Sequence, residues 1–139
     1  MFVIRSCSSS IAFDKRLTKT VRSLIRNGVR IIDVERIMSY VPPEEVISPK
    51  ANWRLVDVVL DRGEGDCAYA IGMWDKRRAI GFRWNGTADS PIGNPQSRGL
   101  PTWTMLDGAL HRSVLRIVEK QNIEKAAIMR AFLGVPVES

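Results

Sequence analysis

The feature that most constrains the fold is a series of three strand patterns between residues 53 and 84. WRLVDVVLD (53–61), CAYAIGMW (67–74) and RAIGFRW (78–84) are each rich in β-branched, apolar or aromatic residues. The connections between them, 62–66 and 75–77, are too short to carry a crossover helix. They therefore predict an antiparallel β-meander, and residues 102–105 predict a short fourth strand.

A helical pattern with a strongly basic face precedes the strands. In DKRLTKTVRSLIRN (14–27), Asp14 is the expected N-cap and Asn27-Gly28 the expected end, while the apolar side chains share one helix face. Residues 29–41 predict a shorter second helix that ends at Pro42. Pro43 then suits the first position of one further helical turn.

Two more helical patterns follow the strands. Asp107 is the expected N-cap of a helix over 108–120, and a break near Gln121-Asn122 separates it from a helix over 123–134 that Gly134 ends. The predicted fold class is therefore α+β: a small antiparallel meander of three or four strands covered by N-terminal and C-terminal helices. A sheet covered on one face leaves the other face and two edges exposed, which favours a homodimer.

Length and composition indicate one domain over residues 1–139. The chain is 45% hydrophobic and 26% charged, as in an ordinary globular protein with a core that needs neither metal nor disulfide. Its two cysteines, Cys7 and Cys67, lie far apart and lack metal-ligand or redox spacing, so we expect free thiols and a cytoplasmic location. No segment has the length of a membrane span, and the N-terminus lacks the basic start of a signal peptide.

The positive charge is concentrated in one segment. Residues 1–30 carry seven basic side chains against Asp14, which accounts for the whole net charge of +6. A concentrated positive field attracts polyanions, and a helix projects its cations along one line. We therefore predict DNA or RNA phosphate contacts at Lys15, Lys19, Arg22 and Arg26. The alternatives are a solvated helix face, an acidic protein partner or a membrane surface. A helix-turn-helix is disfavoured because Asp33 and Glu35 follow.

The loop over residues 81–104 is the second candidate site. A loop of this length in a compact domain is usually functional or disordered, and its prolines, glycines and flanking tryptophans favour an ordered one. Arginines beside aromatic rings suit a phosphate with a stacked base, or a carboxylate. The predicted ligand-binding residues are Arg83, Trp84, Asn85, Arg98 and Trp103. The competing interpretation is that both tryptophans belong to the core and the loop packs on the sheet edge.

Other chemistry-bearing residues give weaker patterns. Asp57, Asp61, Glu64 and Asp66 surround the first turn, and equal parity puts Asp57 and Asp61 on one face of the strand, but interleaved arginines favour a polar turn over a metal site. The element order is also that of PD-(D/E)xK nucleases, from which the pair Asp75-Lys76 departs because the acid directly precedes the lysine. His111 has no nucleophile beside it. We therefore predict no catalytic residues, no metal and no cofactor.

The segment RWNG (83–86) followed by NPQSRG (94–99) and PTW (101–103) resembles small bacterial proteins carried on mobile gene cassettes or phage-like elements. The resemblance covers the middle and C-terminal half of the chain and implies no activity. The sequence thus favours an accessory or binding protein over an enzyme, associated with nucleic acid through the basic helix. The alternative is a small-ligand or protein-interaction domain that uses the 81–104 loop.

Overall fold

The computed structural model of the protein describes residues 26–28, 30 and 40–137. Residues 40–137 belong to one compact unit. Most of the predicted basic helix (14–27) and of the predicted second helix (29–41) lies outside the described residues. At the predicted end of the basic helix, Arg26 is helical, and Gly28 follows in a turn with a φ of 85°.

The predicted meander is confirmed as a four-stranded antiparallel sheet. Its strands are β1 (Trp53–Asp61), β2 (Cys67–Trp74), β3 (Arg77–Trp84) and β6 (Thr104–Met105), in the order β1-β2-β3-β6. A separate small hairpin pairs β4 (Gln96–Ser97) with β5 (Leu100–Pro101). β3 begins one residue earlier than the sequence predicts. The turn before it contains only Asp75 and Lys76, both at positive φ, a conformation that matches the twist of a two-residue hairpin.

The two C-terminal helices also follow the predicted pattern. Asp107 caps a single 3-10 turn (Gly108–Leu110) by accepting a hydrogen bond from the Ala109 N–H, and this turn leads into α1 (His111–Gln121). Asn122 interrupts the chain and caps α2 (Ile123–Leu133), which ends at Gly134 in the left-handed conformation. A further 3-10 turn, Pro43–Glu45, precedes the sheet at the position where proline and two acids predict it.

α1 and α2 cover one face of the sheet. Residues from both layers form one buried cluster: Val59, Ile71, Ile80, Val114, Leu115, Val118, Ala126 and Met129. Lys125 of α2 adds a polar contact to this layer, since its ammonium lies 2.8 Å from both carboxylate oxygens of Asp57 on β1. We refer to this side of the sheet as the helical face.

The opposite face of the sheet is covered, contrary to the expectation of an exposed face. Val46 and Trp103 pack there with Trp53, Val58 and small residues of β2. Two strand glycines make room for the indoles: a Cβ at Gly72 would lie 2.4 Å from the Trp53 ring, and one at Gly81 would lie 3.1 Å from the Trp103 ring. We refer to this side as the tryptophan face.

Two irregularities in β1 change which face its acids occupy. The register with β2 shifts between Leu55 and Asp57 and again between Val58 and Leu60. One extra residue reverses the alternation of a strand, so the equal parity of Asp57 and Asp61 no longer places them on one face. Asp57 contacts helix α2, whereas Asp61 contacts Asn85 and Tyr40. The expectation that both carboxylates face one way is therefore wrong.

Candidate functional site

Arg83 is a buried cation that holds the 81–104 loop against β3. Its side chain is completely buried, and its two terminal nitrogens donate to the carbonyls of Thr102, at 3.3 Å, and of Ile92. The guanidinium also lies 5.8 Å from the centre of the Trp103 ring, a cation–π distance. Burial lowers the pKa of Arg83. Its hydrogen bonds therefore join β3 to two main-chain carbonyls of the loop, and the side chain is not exposed to solvent.

The two tryptophans that flank the loop lie on opposite faces of the sheet. Trp103 is buried on the tryptophan face, where its indole N–H donates to the Val46 carbonyl at 2.7 Å. Trp84 is 51% exposed and meets Phe82 edge to face, with ring centres 5.3 Å apart. Phe82 and Gly81 are successive strand residues and point to opposite sides. The structure therefore does not bring both tryptophans to one site.

Asn85 links the loop to the β1–β2 turn. Its amide nitrogen donates to the Asp61 carboxylate at 2.7 Å and to the Gly63 carbonyl at 2.8 Å. The other carboxylate oxygen of Asp61 accepts from the Tyr40 hydroxyl at 3.2 Å. Burial and the negative charge of Asp61 raise the pKa of Tyr40 to about 12. The amide nitrogen of Asn85 thus holds the loop against the β1–β2 turn. Its side-chain oxygen is buried without a hydrogen-bond partner.

The loop is ordered by backbone contacts, as its composition predicts. Trp84 and Asn94 exchange two backbone hydrogen bonds, and the Val41 N–H donates to the Pro91 carbonyl at 2.9 Å. Gly93 fits only as glycine, because a Cβ there would lie 2.3 Å from the Trp84 carbonyl oxygen. Arg98 is exposed in the turn of the small hairpin, at a φ of 52°. Among the predicted ligand-binding residues, Trp84 and Arg98 are therefore exposed, whereas Arg83, Asn85 and Trp103 are buried.

Only one of the four cations predicted to contact phosphates is described. Arg26 is exposed, and Lys15, Lys19 and Arg22 lie outside the described residues. A comparable stripe that the sequence analysis missed lies on α1, where Arg112, Arg116 and Lys120 are exposed at intervals of four residues. The signal was present in HRSVLRIVEKQ, in which the buried Val114, Leu115 and Val118 occupy the other helix face.

A second basic region lies where the β2–β3 turn meets the segment before β1. An open cleft of about 570 Å³ is lined there by three exposed cations and by Trp53 and Met73. The cations are Lys50, Arg54 and Lys76. This cluster could not be predicted from the sequence, because only the β1–β2 register brings residues 50–54 beside residues 73–76.

The described residues provide no metal site: no group of three or more His, Cys, Asp or Glu side chains among them is arranged to hold an ion. Three acids at the first turn accept hydrogen bonds from the chain itself: Asp61, Glu64 and Asp66. Asp66 precedes β2 and Asp75 follows it, so about 25 Å of strand separates the pair that a PD-(D/E)xK-type site would need together.

Cys67 is a buried free thiol, and burial raises its pKa.

Of the helices in the described part of the chain, none has both the length and the apolar character needed to cross a bilayer.

Comparison with known proteins adds no assignment. No family model matches this chain, and neither the curated proteins nor the solved structures contain a significant match. The described fold is an α+β unit in which a four-stranded antiparallel sheet lies between two C-terminal helices and a loop layer that contains Trp103.

Proposed function

We propose that this protein is a nucleic-acid-associated accessory protein that contacts phosphates through basic helix faces. The observation that carries the proposal is the α1 stripe of Arg112, Arg116 and Lys120, which is exposed and turned away from the core. The nearest acid of the helix, Glu119, forms an ion pair with Arg130 of α2. Cations repeated along one helix face give affinity for a polyanion without a requirement for base sequence.

The N-terminal segment supplies a separate set of proposed phosphate contacts. Lys15, Lys19, Arg22 and Arg26 repeat at intervals of three or four residues in the sequence. The proposal includes a cytoplasmic location, for which the free thiol of Cys67 argues, and assembly as a homodimer. Binding to nucleic acid, or to an acidic protein, needs no catalytic residue.

The test measures binding of fluorescent single- and double-stranded DNA and RNA to the full chain at low and moderate salt. One variant carries Arg116→Gln and Lys120→Gln, and a second carries glutamine at Lys15, Lys19, Arg22 and Arg26. We expect affinity that falls with salt, and weaker binding with a smaller salt slope in both variants, because each removes counterion-releasing contacts.

The matched control carries Arg62→Gln and Arg77→Gln, which removes two exposed cations, replaces none of the predicted binding residues and leaves the cations of α1 and of the N-terminal segment intact. It should bind as the unmodified protein does. Absence of binding at low salt, or equal loss in the control and the stripe variants, would refute the proposal.

A protein-interaction domain at the 81–104 loop is the second candidate, and the exposure of Trp84 favours it. Trp84 packs against Phe82, which lines an apolar groove of about 290 Å³ together with Tyr69, Leu106 and Leu110. Exposed aromatic side chains beside an apolar groove are typical of protein contacts. Trp84→Ser should then change the oligomeric state in solution while nucleic-acid binding stays unchanged.

A further inference from the structure

We propose that the basic cleft between residues 50–54 and the β2–β3 turn binds a phosphate monoester of nucleotide size. This basic cleft is lined by Lys50, Arg54 and Lys76, with Asn52 and Asp75 beside them and Trp53 and Met73 as its apolar part. The proposal does not depend on Arg112, Arg116 and Lys120, which lie on α1, or on the cations of the N-terminal segment.

The sheet register builds the cleft. Trp53 pairs with Trp74 and Arg54 pairs with Met73, which puts the start of β1 beside the end of β2. Beyond the last pair, the Asp75 N–H donates to the Asn52 carbonyl at 2.9 Å, and the Asn52 amide donates to the Asp75 carboxylate at 2.7 Å. One main-chain bond and one side-chain bond thus fix the turn against the segment before β1.

The charges of the cleft match a dianion. Lys50, Arg54 and Lys76 face a single carboxylate, that of Asp75, which already accepts the hydrogen bond from Asn52. Among the described residues, none of the three cations forms an ion pair. A phosphate monoester carries close to two negative charges at neutral pH and offers three acceptor oxygens, which suits three donors of this kind.

The size and apolar lining of the cleft indicate more than inorganic phosphate. A volume of about 570 Å³ lies within the range of small-molecule and cofactor sites. Met73 offers its thioether, and Trp53 the small exposed part of its indole, to a ring or chain attached to the phosphate. Trp53 is only 3% exposed and Met73 is half-buried, so Met73 supplies most of the accessible apolar surface of the cleft.

The test is a titration of the full-length protein with inorganic phosphate, AMP and adenosine, followed by calorimetry and by tryptophan fluorescence. We expect saturable binding of AMP, weaker binding of inorganic phosphate, and adenosine at least about tenfold weaker than AMP, because only the phosphate meets the cations. AMP that binds no more tightly than adenosine would overturn the proposal.

Two double variants separate the cleft from the rest of the surface. Arg54→Gln with Lys76→Gln removes two cations of the cleft, and Arg116→Gln with Lys120→Gln removes the same charge from α1. All four side chains are exposed, and a circular-dichroism melt checks that both variants fold. AMP affinity should fall about tenfold or more in the cleft variant only. An equal fall in both variants, or none in the cleft variant, would overturn the proposal.

A pair of oligonucleotides, identical except for a 5′-phosphate or a 5′-hydroxyl, identifies the source of the phosphate. Tighter binding of the 5′-phosphorylated strand, lost in the cleft variant, supports the proposal with a nucleic-acid end as the ligand. AMP binding without that preference supports it with a free nucleotide. Because the 5′-hydroxyl strand carries no phosphate monoester, failure of the cleft proposal is read from AMP and from the missing 5′-phosphate preference, and failure of the nucleic-acid proposal from the 5′-hydroxyl strand.

Discussion

At the scale of the residue, Arg83 shows how a side chain with the chemistry of a ligand site serves the fold. A buried guanidinium is costly because it loses its hydration, and burial lowers its pKa accordingly. The carbonyls of Thr102 and Ile92 and the ring of Trp103 replace part of that hydration. These contacts join the two ends of the loop, which explains why an arginine occupies a position in the core.

Replacing Arg83 with methionine should therefore destabilise the protein. The substitution removes a desolvated charge but leaves two loop carbonyls without donors, so we expect a loss of about 1–3 kcal/mol in the free energy of unfolding. Urea denaturation measures it, and limited proteolysis should show faster cleavage within 85–103. Arg98→Met, an exposed change in the same loop, is the control and should alter stability by less than about 0.5 kcal/mol. Equal stability of the two variants would contradict this role for Arg83.

Tyr40 gives a pH-dependent signal at the same scale. Its pKa is raised to about 12 by burial and by the Asp61 carboxylate, so the folded state favours the protonated phenol. The stabilisation is complete below pH 10, the pKa of an unperturbed tyrosine, and is lost as the pH rises from about 10 to about 12.

Phenolate absorbance should show this behaviour directly. Burial also raises the pKa of Tyr69, the second tyrosine of the chain, so the native titration should lie above pH 10 for both residues and return to about 10 in denaturant. Asp61→Asn should lower the Tyr40 midpoint, since it removes the negative charge. A native midpoint at pH 10 for Tyr40 would show that the contact with Asp61 does not form.

At the scale of the element, two positions in the 81–104 loop require glycine for different physical reasons. Gly93 has a φ of 69° and no room for a Cβ, whereas Gly99 has a φ of 75° with no atom within 4 Å of such a Cβ. The first position is limited by both conformation and space, and the second by conformation alone.

Alanine substitution at these two positions separates strain from collision. Gly99→Ala should cost about 1 kcal/mol, the price of a left-handed conformation for a residue with a Cβ. Gly93→Ala should cost at least about twice as much, because its Cβ meets the Trp84 carbonyl and the loop must move. Thermal melts of both variants give the comparison. If they melt at the same temperature, the close packing of the loop at Gly93 does not hold in solution.

At the scale of the whole molecule, the compact unit that contains residues 40–137 has the sheet as the middle of three layers. The helices cover one face through Ile71, Ile80 and Val118, and the segment with Val46 and Trp103 covers the other. The ion pair of Asp57 and Lys125 is a polar connection between the sheet and the helical layer, with both side chains about one third exposed.

A double-mutant cycle with Asp57→Asn and Lys125→Met measures that connection. Because the pair is partly hydrated, we expect a coupling of about 0.5–1 kcal/mol that decreases as salt is added. The coupling is obtained from urea denaturation of the two single variants and the double variant. Zero coupling at low salt would mean that apolar packing alone holds α2 on the sheet.

Within residues 40–137, the sequence by itself determined the main strands and the C-terminal helices, because their signals are local. Alternation and short turns predicted three strands to within one residue, and Asp107, the break near Gln121-Asn122 and Gly134 predicted the bounds of the C-terminal helices. The tertiary structure decided the faces. A bulge in β1 separated Asp57 from Asp61, and the second layer buried Arg83 and Trp103. Long-range pairing determines which indole fills the space beside Gly72 and Gly81, and only the β1–β2 register assembles the basic cleft.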